Sequence, residues 1–288
     1  MELPRPLRGQ VTASEPEGSS MSVSDRRARF RALHQADQLF VMPNPWDIGS
    51  ARLLASSGFQ ALATTSAGFA TSIGKLDQTV SRDELVAHVS RLAAATPLPL
   101  NVDSERCYPD DPGGVAETVT LLAEAGAAGF SIEDYNPATA GIDDVTVAAE
   151  RVALAADAAH GLPEPMVLTG RAENHIRGVD DLGDTISRLI AYRDAGADVV
   201  YAPGLSSIGQ IAAVASAVGA PMNVLALPNG PTLSELASAG VRRVSTGSAL
   251  AACAYRALMD AAHELLNEGT SHFAEHCITR RALEVAFS

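Results

Sequence analysis

The sequence predicts an α/β protein built as a (β/α)₈ barrel of the TIM type. Short apolar runs rich in β-branched residues recur eight times, and each is followed by an Ala- and Leu-rich segment with helical spacing. The runs are nearly continuously apolar, which is typical of parallel strands buried on both faces. No Gly-x-Gly-x-x-Gly motif follows the first run, which disfavours a doubly wound open sheet, the second architecture considered. Eight successive strand–helix units therefore favour a closed barrel.

The eight predicted strands follow in order along the chain. They are LFVMPNPW (39–46), ALATTSA (61–67), LPLNVDSE (98–105), AGFSIEDY (128–135), PMVLTGRAE (165–173), DVVYAPG (198–204), PMNVLAL (221–227) and VRRVSTG (241–247). Several intervening helices end alike, since SSGF, EAGAAGF, DAGADVV and SAGVRRV each turn through glycine into the next strand. Glycine at this place is typical of helix C-termini. The repetition supports a series of equivalent strand–helix units.

The N-terminal segment departs from this pattern. Residues 1–24 are rich in Pro, Gly, Ser and Glu, have no apolar period and lack the apolar segment of a secretory signal, so we expect a disordered extension. Folded sequence begins near residue 25, where Ser24 or Asp25 is expected to cap the first helix. Residues 25–288 are then expected to form one barrel domain that ends in a helical tail.

The overall composition limits the partners. A net charge of −13 disfavours nucleic acid, because phosphate binding requires clustered Lys and Arg. No apolar run approaches the roughly 20 residues that span a bilayer, so no membrane partner is expected. The three cysteines have neither the number nor the spacing of a disulfide framework or a zinc site, which indicates a reducing cytoplasm.

Polar side chains gather at the carboxyl ends of the predicted strands, where barrel enzymes carry their chemistry. They are Asn44, Trp46, Asp47, Ser66, Asp103, Glu105, Glu133, Asp134, Arg171, Glu173, Asn174, Asn223, Thr246 and Ser248. Taken singly, a residue such as Asp47, Asp134 or Thr246 is more typical of a helix cap. Asp103 and Glu105 are two apart, and in a strand such residues point to the same side. Three convergent acids with an arginine indicate a site.

The chemistry of such a site follows from its residue types. Carboxylates around one axis repel each other unless a cation lies among them, and hard oxygen ligands favour Mg²⁺, with Mn²⁺ as the alternative. An anionic 2-oxo acid could chelate the ion, which would stabilise an enolate as a Lewis acid. The remaining substrate charge is expected to be bound by Arg171 and by backbone N–H groups near Ser66, Ala67 and Gly68. The alternative for Arg171 is an internal ion pair with Glu133 or Glu173.

The lysine count removes a competing mechanism. Many barrel enzymes break carbon–carbon bonds through a lysine Schiff base. Here the only lysine is Lys75, in SIGKLDQT, which lies between the second strand and the following helix and not at a strand end. A metal-stabilised enolate is therefore the expected electron sink. Asp77 in the same loop could support metal-bound water, or it is a solvated loop acid.

These residues resemble the isocitrate lyase and phosphoenolpyruvate mutase superfamily over about residues 28–265. The resemblance is carried by RARFRALH, NPWDIGSARLLASSGFQALATTSAGFA, NVDSERCY, GFSIED, VLTGRAEN, DAGADVVYAPG, PMNVLALP and GVRRVSTG. It implies that Mg²⁺ is held, directly or through water, by Asp103, Glu105 and Glu133 with Asp77 in support. It also implies that the substrate is held by Ser66, Arg171 and Asn223 beside an aromatic wall formed by Trp46. Members usually assemble as tetramers that exchange a C-terminal helix, which the tail of this chain could provide.

Two departures from the family pattern concern specificity. The loop after the third strand reads DSERCYP, so that Cys107 and Pro109 stand where the family has glycines, and another loop path is expected. Cys107 is expected to be a packing residue, and Arg106 brings a cation to the site. The segment EDYNPATAGIDDVTVAAERV lacks the Lys-Lys-Cys-Gly-His lid of isocitrate and methylisocitrate lyases, which disfavours their usual mechanism.

The sequence thus predicts a Mg²⁺-dependent lyase that cleaves a carbon–carbon bond of a small 2-oxo or 2-hydroxy dicarboxylate through a pyruvate-like enolate. Arg171, Glu133 and Ser66 are the expected catalytic residues, and a homo-oligomer, dimer or tetramer, is the expected assembly. Two alternatives remain open. One is phosphorus–carbon chemistry of the phosphonopyruvate hydrolase or phosphoenolpyruvate mutase type. The other is a non-catalytic binding barrel, which an Arg106 salt bridge across Asp103 and Glu105 would favour.

Overall fold

Eight parallel strands form the barrel that the sequence predicts. The computed structural model describes residues 21–288, so the predicted disordered extension lies outside the described residues except for positions 21–24. The strands are β1 Phe40–Met42, β2 Leu62–Ala63, β3 Leu100–Asp103, β4 Gly129–Glu133, β5 Tyr135–Asn136, β6 Gly141–Ile142, β7 Val167–Arg171, β8 Val199–Tyr201, β9 Met222–Leu225 and β10 Arg243–Ser245. β5 and β6 form a small antiparallel hairpin, and the other eight strands pair in the order β1-β10-β9-β8-β7-β4-β3-β2.

The barrel is nearly closed. β1 and β2 are the two ends of the eight-stranded sheet, and the Ala63 N–H donates to the Pro43 carbonyl at 3.0 Å between them. The pairs recorded within this sheet are all parallel, for example β4 with β7 from Gly129↔Val167 to Glu133↔Arg171. Because the strands run in one direction, their carboxyl ends meet at one face of the barrel, as a catalytic site on this fold requires.

Helices follow the barrel strands and cover them. They are α1 Val23–Gln35, α2 Ile48–Ser56, α3 Ser66–Ser72, α4 Arg82–Ala95, α5 Gly114–Glu124, α6 Val145–His160, α7 Leu182–Asp194, α8 Ile208–Val218, α9 Leu233–Ser238, α10 Ala249–Asn267 and α11 Arg280–Phe287. The largest buried apolar cluster lies between these helices and the outer side of the strands, and includes Leu92, Leu122, Leu168 and Leu189.

The first helix begins earlier than the sequence predicts. Its N-cap is Ser22, whose hydroxyl accepts from the Asp25 N–H at 3.1 Å while the Asp25 carboxylate accepts from the Ser22 N–H at 3.2 Å. The prediction that Ser24 or Asp25 is the cap was therefore wrong. Asp25 serves as the third helical residue of a capping box, which satisfies two helix N–H groups at once.

The amino ends of the strands are closed by α1. Phe30 of α1 is fully buried in a second, smaller cluster with Met42, Val167 and Val199. Gly129 at the start of β4 allows this contact, since a Cβ there would lie 2.7 Å from the Phe30 ring and 2.6 Å from the Val167 carbonyl oxygen. The cavity described below therefore opens only toward the carboxyl ends.

The C-terminal helices leave the barrel wall. α11 packs against α2 of the same chain, and the Arg52 guanidinium donates to the Phe287 carbonyl at 3.4 Å. Both α10 and α11 expose large apolar side chains, among them Leu258, Leu266 and Val285. Within residues 21–288, none of the helices combines the length and apolar character needed to cross a membrane.

Candidate active site

A cavity of about 150 Å³ opens at the carboxyl ends of the barrel strands. It is far smaller than the roughly 300–1,000 Å³ of pockets that take drug-sized ligands, so it fits a small molecule. Of the residues predicted from the sequence, the lining includes Ser66, Ala67, Asp77, Asp103, Arg171 and Asn223. Asn44 and Ser248, two of the predicted strand-end residues, also line it. The lining further includes polar residues that were not predicted from the sequence: Thr64, Thr65, Asn101, Ser131, Tyr201, Arg243 and Ser245.

Asp103, the last residue of β3, is held from three sides. Its Oδ2 accepts from the Ser66 N–H at 3.1 Å, and its own N–H donates to the Thr64 hydroxyl at 2.8 Å. Its Oδ1 lies 3.3 Å from Nη1 of Arg171. These contacts join the ends of β2, β3 and β7 around one carboxylate, which is therefore fixed toward the cavity.

Arg171 forms the predicted internal ion pairs and is also placed at the cavity. Its Nε contacts Oε1 of Glu173 at 2.5 Å and its Nη1 contacts Oε2 of Glu133 at 3.1 Å, so it forms the internal ion pairs. It also lines the cavity, with its guanidinium 5.5 Å from the centre of the Tyr201 ring. Burial opposes the charge, but the surrounding carboxylates raise the pKa of Arg171 well above its ordinary value. The arginine is thus charged and its charge is shared among several acids.

Glu105 lies beyond the end of β3, which differs from the prediction. The strand ends at Asp103 and Glu105 has a φ of 51°, so strand alternation does not orient its side chain. It lines a neighbouring pocket beside Gln78 and Tyr108, not the central cavity. Its carboxyl is nevertheless near the other acids, because burial first, and then the charges of Asp103 and Asp77, raise the pKa of Glu105 to about 8.

Glu133 and Asp77 complete the acidic group. Glu133, at the end of β4, is buried, and its Oε1 accepts from the side-chain amide of Gln78 at 3.0 Å. Burial raises the pKa of Glu133 well above its ordinary value despite the opposing effect of Arg171. Burial and the charge of Asp103 likewise raise the pKa of Asp77, although the Ser66 side chain opposes this shift. Asp77, Asp103, Glu105 and Glu133 thus lie near one another with Arg171 as the cation that they share.

The oxygen atoms available in this group fit a hard divalent cation held mainly through water. Within residues 21–288, no three Asp, Glu, His or Cys side chains are placed so that they could hold a metal ion together. A closed protein cage is therefore excluded for the part of the chain described. Mg²⁺ commonly keeps several waters and uses only one or two carboxylates. Glu105 offers a further acceptor, because its Oε1 is buried without a hydrogen-bond partner.

The segment after β2 contributes less backbone than predicted. The Ser66 N–H is used by Asp103, and the Gly68 N–H donates to the hydroxyl of Thr65, the N-cap of α3, at 3.3 Å. Gly68 does not line the cavity: its N–H faces the cap, and a Cβ on it would lie 3.3 Å from the Ala251 Cβ. Ser66 and Ala67 are the members of the predicted trio that reach the cavity.

Trp46 lies away from the central cavity. It lines a separate pocket with Ile73 and with the stacked rings of Phe69 and His88, whose centroids are 3.8 Å apart. The structure therefore does not bring the predicted aromatic wall to the other site residues. The reason is local: Asp47 accepts from the Ser50 N–H and caps α2, which directs the chain outward directly after Trp46.

The loop after β3 has left-handed backbone conformations at residues that are not glycine. Cys107 and Tyr108 have φ values of 62° and 46°. The Cys107 thiol is fully buried, and burial raises its pKa to about 12, which confirms a packing role. Arg106 pairs with Asp110 at 3.3 Å and with Asp143 at 3.2 Å rather than across the acids of the site. The feature that would favour a non-catalytic barrel is therefore absent from these described contacts.

Lys75 is held away from the cavity. Its Nζ contacts Oε1 and Oε2 of Glu84 at 2.6 Å, and it is not among the cavity-lining residues. This geometry agrees with the exclusion of a Schiff base.

Comparisons with known proteins place this site in context. Residues 30–266 match the family described as phosphoenolpyruvate phosphomutase. A solved structure of a protein provisionally assigned as a lyase/mutase, from Burkholderia cenocepacia J2315, is 49% identical with a TM-score of 0.88, and covers 92% of this chain and 96% of that one. Oxaloacetate decarboxylase of Paraburkholderia xenovorans (strain LB400) is 30% identical over 85% of this chain and 83% of its own length. A structure of oxaloacetate acetylhydrolase with the product oxalate is 26% identical, with a TM-score of 0.79 over 91% of this chain and 94% of that one.

Proposed function

This chain belongs to the phosphoenolpyruvate phosphomutase family, and we propose that it is a Mg²⁺-dependent lyase that cleaves a carbon–carbon bond of a small 2-oxo or 2-hydroxy dicarboxylate. The observation that carries the proposal is the group of four acids, Asp77, Asp103, Glu105 and Glu133, around one arginine at the carboxyl ends of the strands. Burial and mutual repulsion raise the pKa of Asp77, Glu105 and Glu133, and a divalent cation among them would favour their charged forms.

The four acids are expected to have different roles, because they occupy different positions relative to the cavity. Asp103 would hold Mg²⁺, or Mn²⁺ in its place, because it is the acid of the group that both lines the cavity and ends a barrel strand. Asp77, Glu105 and Glu133 would hold water molecules of the ion. When bound, the ion supplies positive charge that stabilises the enolate formed on bond cleavage.

Other side chains would bind and orient the substrate. Arg171 presents its guanidinium to the cavity beside Asp103, so it would bind a substrate carboxylate. Its bonds to Glu133 and Glu173 fix the guanidinium plane. The side chain therefore loses less conformational entropy when the substrate binds. Ser66 and Asp77 both line the cavity, and the Ser66 side chain lowers the pKa of Asp77, so the Ser66 hydroxyl would orient that acid at the cavity edge.

The relatives narrow the substrates to test first. Oxaloacetate is named in two of the similar proteins, a decarboxylase and an acetylhydrolase. It is a 2-oxo dicarboxylate, and its small size suits a cavity of about 150 Å³. We therefore place oxaloacetate first among the candidate substrates, ahead of substituted malates and isocitrates.

The test is product formation from a panel of 2-oxo and 2-hydroxy dicarboxylates. Purified protein with Mg²⁺ is expected to release pyruvate or oxalate from one of them, and chelation by EDTA is expected to abolish the reaction until Mg²⁺ or Mn²⁺ is returned. Because Mg²⁺ alone decarboxylates oxaloacetate, the Asp103→Asn variant in the same buffer serves as the blank. Product formation no faster than this blank for every acid, and unaffected by EDTA, would contradict the proposal.

Phosphorus–carbon chemistry is the second candidate, because the matching family is described as a phosphomutase. Phosphonopyruvate carries a 2-oxo acid and a second anionic group, so the same residues could bind it. Phosphate release or a new ³¹P resonance from phosphonopyruvate, without product from the dicarboxylates, would favour this candidate.

A further inference from the structure

Arg243 is a buried cation at the inner wall of the cavity. It is the first residue of β10, its side chain is 2% exposed, and it lines the same cavity as Asp103 and Arg171. Its guanidinium bonds three neutral groups: Oδ1 of Asn223 at 2.9 Å, the Thr169 hydroxyl at 3.0 Å and Nε2 of His34 at 3.1 Å.

No acid balances this charge within residues 21–288. Arg171 contacts three carboxylates within 4.0 Å, whereas none of the described ion pairs involves Arg243. His34 cannot supply a negative charge, and its nitrogen serves as an acceptor because burial and then Arg243 lower the pKa of His34 to about 3. A buried charge without a counter-charge is costly in free energy, so its retention beside a cavity points to an anion from solution.

The donors of Arg243 are also incompletely used. A guanidinium carries five N–H groups, and three of them are used by the contacts above. The remaining ones find no acceptor among the described residues. They belong to a side chain that lines the cavity, so an anion entering from the mouth can meet them.

Asn101 provides a second, independent sign of an absent ligand. This β3 residue is 4% exposed, lines the same cavity, and its Oδ1 is buried without a hydrogen-bond partner. Buried amides in proteins are normally bonded, so the group is expected to find its partner in a bound molecule. Either end of the amide can serve, because its oxygen and nitrogen exchange by rotation about χ2.

We propose that Arg243 and Asn101 form a second anion subsite, which binds the anionic group of the substrate farther from the metal. The subsite lies on the inner side of a cavity that α1 closes from below, so the ligand enters past Asp103 and Arg171. In the dicarboxylates proposed above this group is the second carboxylate, and that identification rests on the proposed function. Arg243 thereby becomes a residue that determines specificity for dianions.

The test compares two acids that differ only in this group. Malate is lactate with a second carboxylate, so binding of each enantiomer of both acids is measured by calorimetry in the presence of Mg²⁺. The wild type is expected to bind malate at least about 10-fold more tightly than lactate. Arg243→Met is expected to weaken malate binding by about 10- to 100-fold, as for loss of a buried charge-assisted hydrogen bond, and to leave lactate within about twofold.

Two further variants separate binding from folding. Thr169→Val removes one neighbour of the guanidinium but keeps its charge, so the malate preference should remain within about threefold. If Arg243→Met fails to fold, Arg243→Lys keeps the charge without the planar fork, and it should retain part of the preference. Replacing malate by phosphonolactate shows whether a phosphonate occupies the subsite better than a carboxylate.

The outcomes distinguish the two proposals. Equal binding of malate and lactate by the wild type, or equal weakening of both in Arg243→Met, would overturn the subsite even if the protein proves to be a lyase. A malate preference that depends on Arg243, in a protein that turns over no acid of the panel, would support the subsite and contradict the lyase proposal.

Discussion

At the scale of single residues, Asp103 has the central role in the proposed mechanism, because it would hold the metal ion. Its carboxylate is oriented by the Ser66 N–H and by Arg171, and its backbone by Thr64. We expect Asp103→Asn to lower kcat/KM by at least about 100-fold, because a neutral amide binds the cation more weakly than a carboxylate and loses the ion pair with Arg171. Asp110→Asn is the matched control, since this acid lies on the same loop with its side chain 87% exposed. Equal activity of the two variants would contradict the assignment.

Cys107 gives a second prediction at this scale. Its thiol is fully buried, and burial raises its pKa to about 12, whereas Cys253 and Cys277 are exposed. A thiol reagent should therefore label Cys107 only after unfolding, because the thiolate is the reactive form and this thiol is buried. Cys107→Ala should keep kcat within about twofold. Rapid labelling of three thiols in the native protein would rule out the packing role.

The residue scale also shows where sequence reasoning stops. Asp103 could be predicted because it ends a strand, but the orientation of Glu105 depends on a left-handed turn that the pattern of strand alternation does not contain. Arg243 was missed because the run VRRVSTG contains two adjacent arginines, and the sequence does not show which of them faces inward until the strand register is known. Its signal was present, since residues two apart share a face and Ser245 also lines the cavity.

At the scale of elements, a buried histidine of α1, the helix that closes the amino ends of the strands, is expected to make the stability of the fold depend on pH. His34 is buried, donates through Nδ1 to the Phe30 carbonyl at 2.8 Å, and has its pKa lowered from 6.5 to about 3, by burial and then by Arg243. Below pH 6.5, His34 is protonated in the unfolded chain but stays neutral in the folded chain. The free energy of unfolding therefore falls progressively as the pH is lowered to about 3. The expected loss is about 2 kcal/mol between pH 7 and pH 5.

Urea unfolding at pH 7 and pH 5 tests this prediction. His34→Gln should lose about 2 kcal/mol less stability over that interval than the wild type, whatever its stability at pH 7. His263→Gln, which removes an exposed histidine of α10, is the control and should follow the wild-type curve. Identical losses for His34→Gln and the wild type would show that the histidine does not carry the effect.

The elements themselves could largely be predicted. Each of the eight predicted runs contains a barrel strand, because continuous burial on both faces imposes an apolar pattern that a sequence displays directly. The first and last residues of the strands and helices were harder to predict. β2 has only two residues, Leu62 and Ala63, since Thr65 already caps α3, and the Ser22 cap of α1 depends on a reciprocal bond with Asp25. Caps are set by local hydrogen bonds that several neighbouring Ser and Asp residues could make equally well.

At the scale of the whole molecule, the C-terminal helices indicate self-association. α10 and α11 expose Leu258, Met259, Leu265, Leu266, Val285 and Phe287, with Leu266 82% exposed. Leu258, Met259, Leu265 and Leu266 recur at helical spacing on α10, and an exposed apolar helix face is typical of interfaces. We therefore expect a dimer or tetramer in solution. Multi-angle light scattering of the eluting peak would measure it, and a monomer at tens of micromolar would contradict the expectation.

The exposed leucines of α10 allow a directed test of where the subunits meet. A Leu258→Glu/Leu266→Glu variant should shift the assembly toward smaller species, because two buried carboxylates without partners oppose association. Leu154→Glu is the matched control, since this leucine of α6 is 55% exposed and lies outside the C-terminal helices, so its assembly should be unchanged. Circular dichroism would verify that both variants fold. If Leu154→Glu dissociates the oligomer and the α10 variant does not, the interface lies on the barrel wall, and the tail has another role.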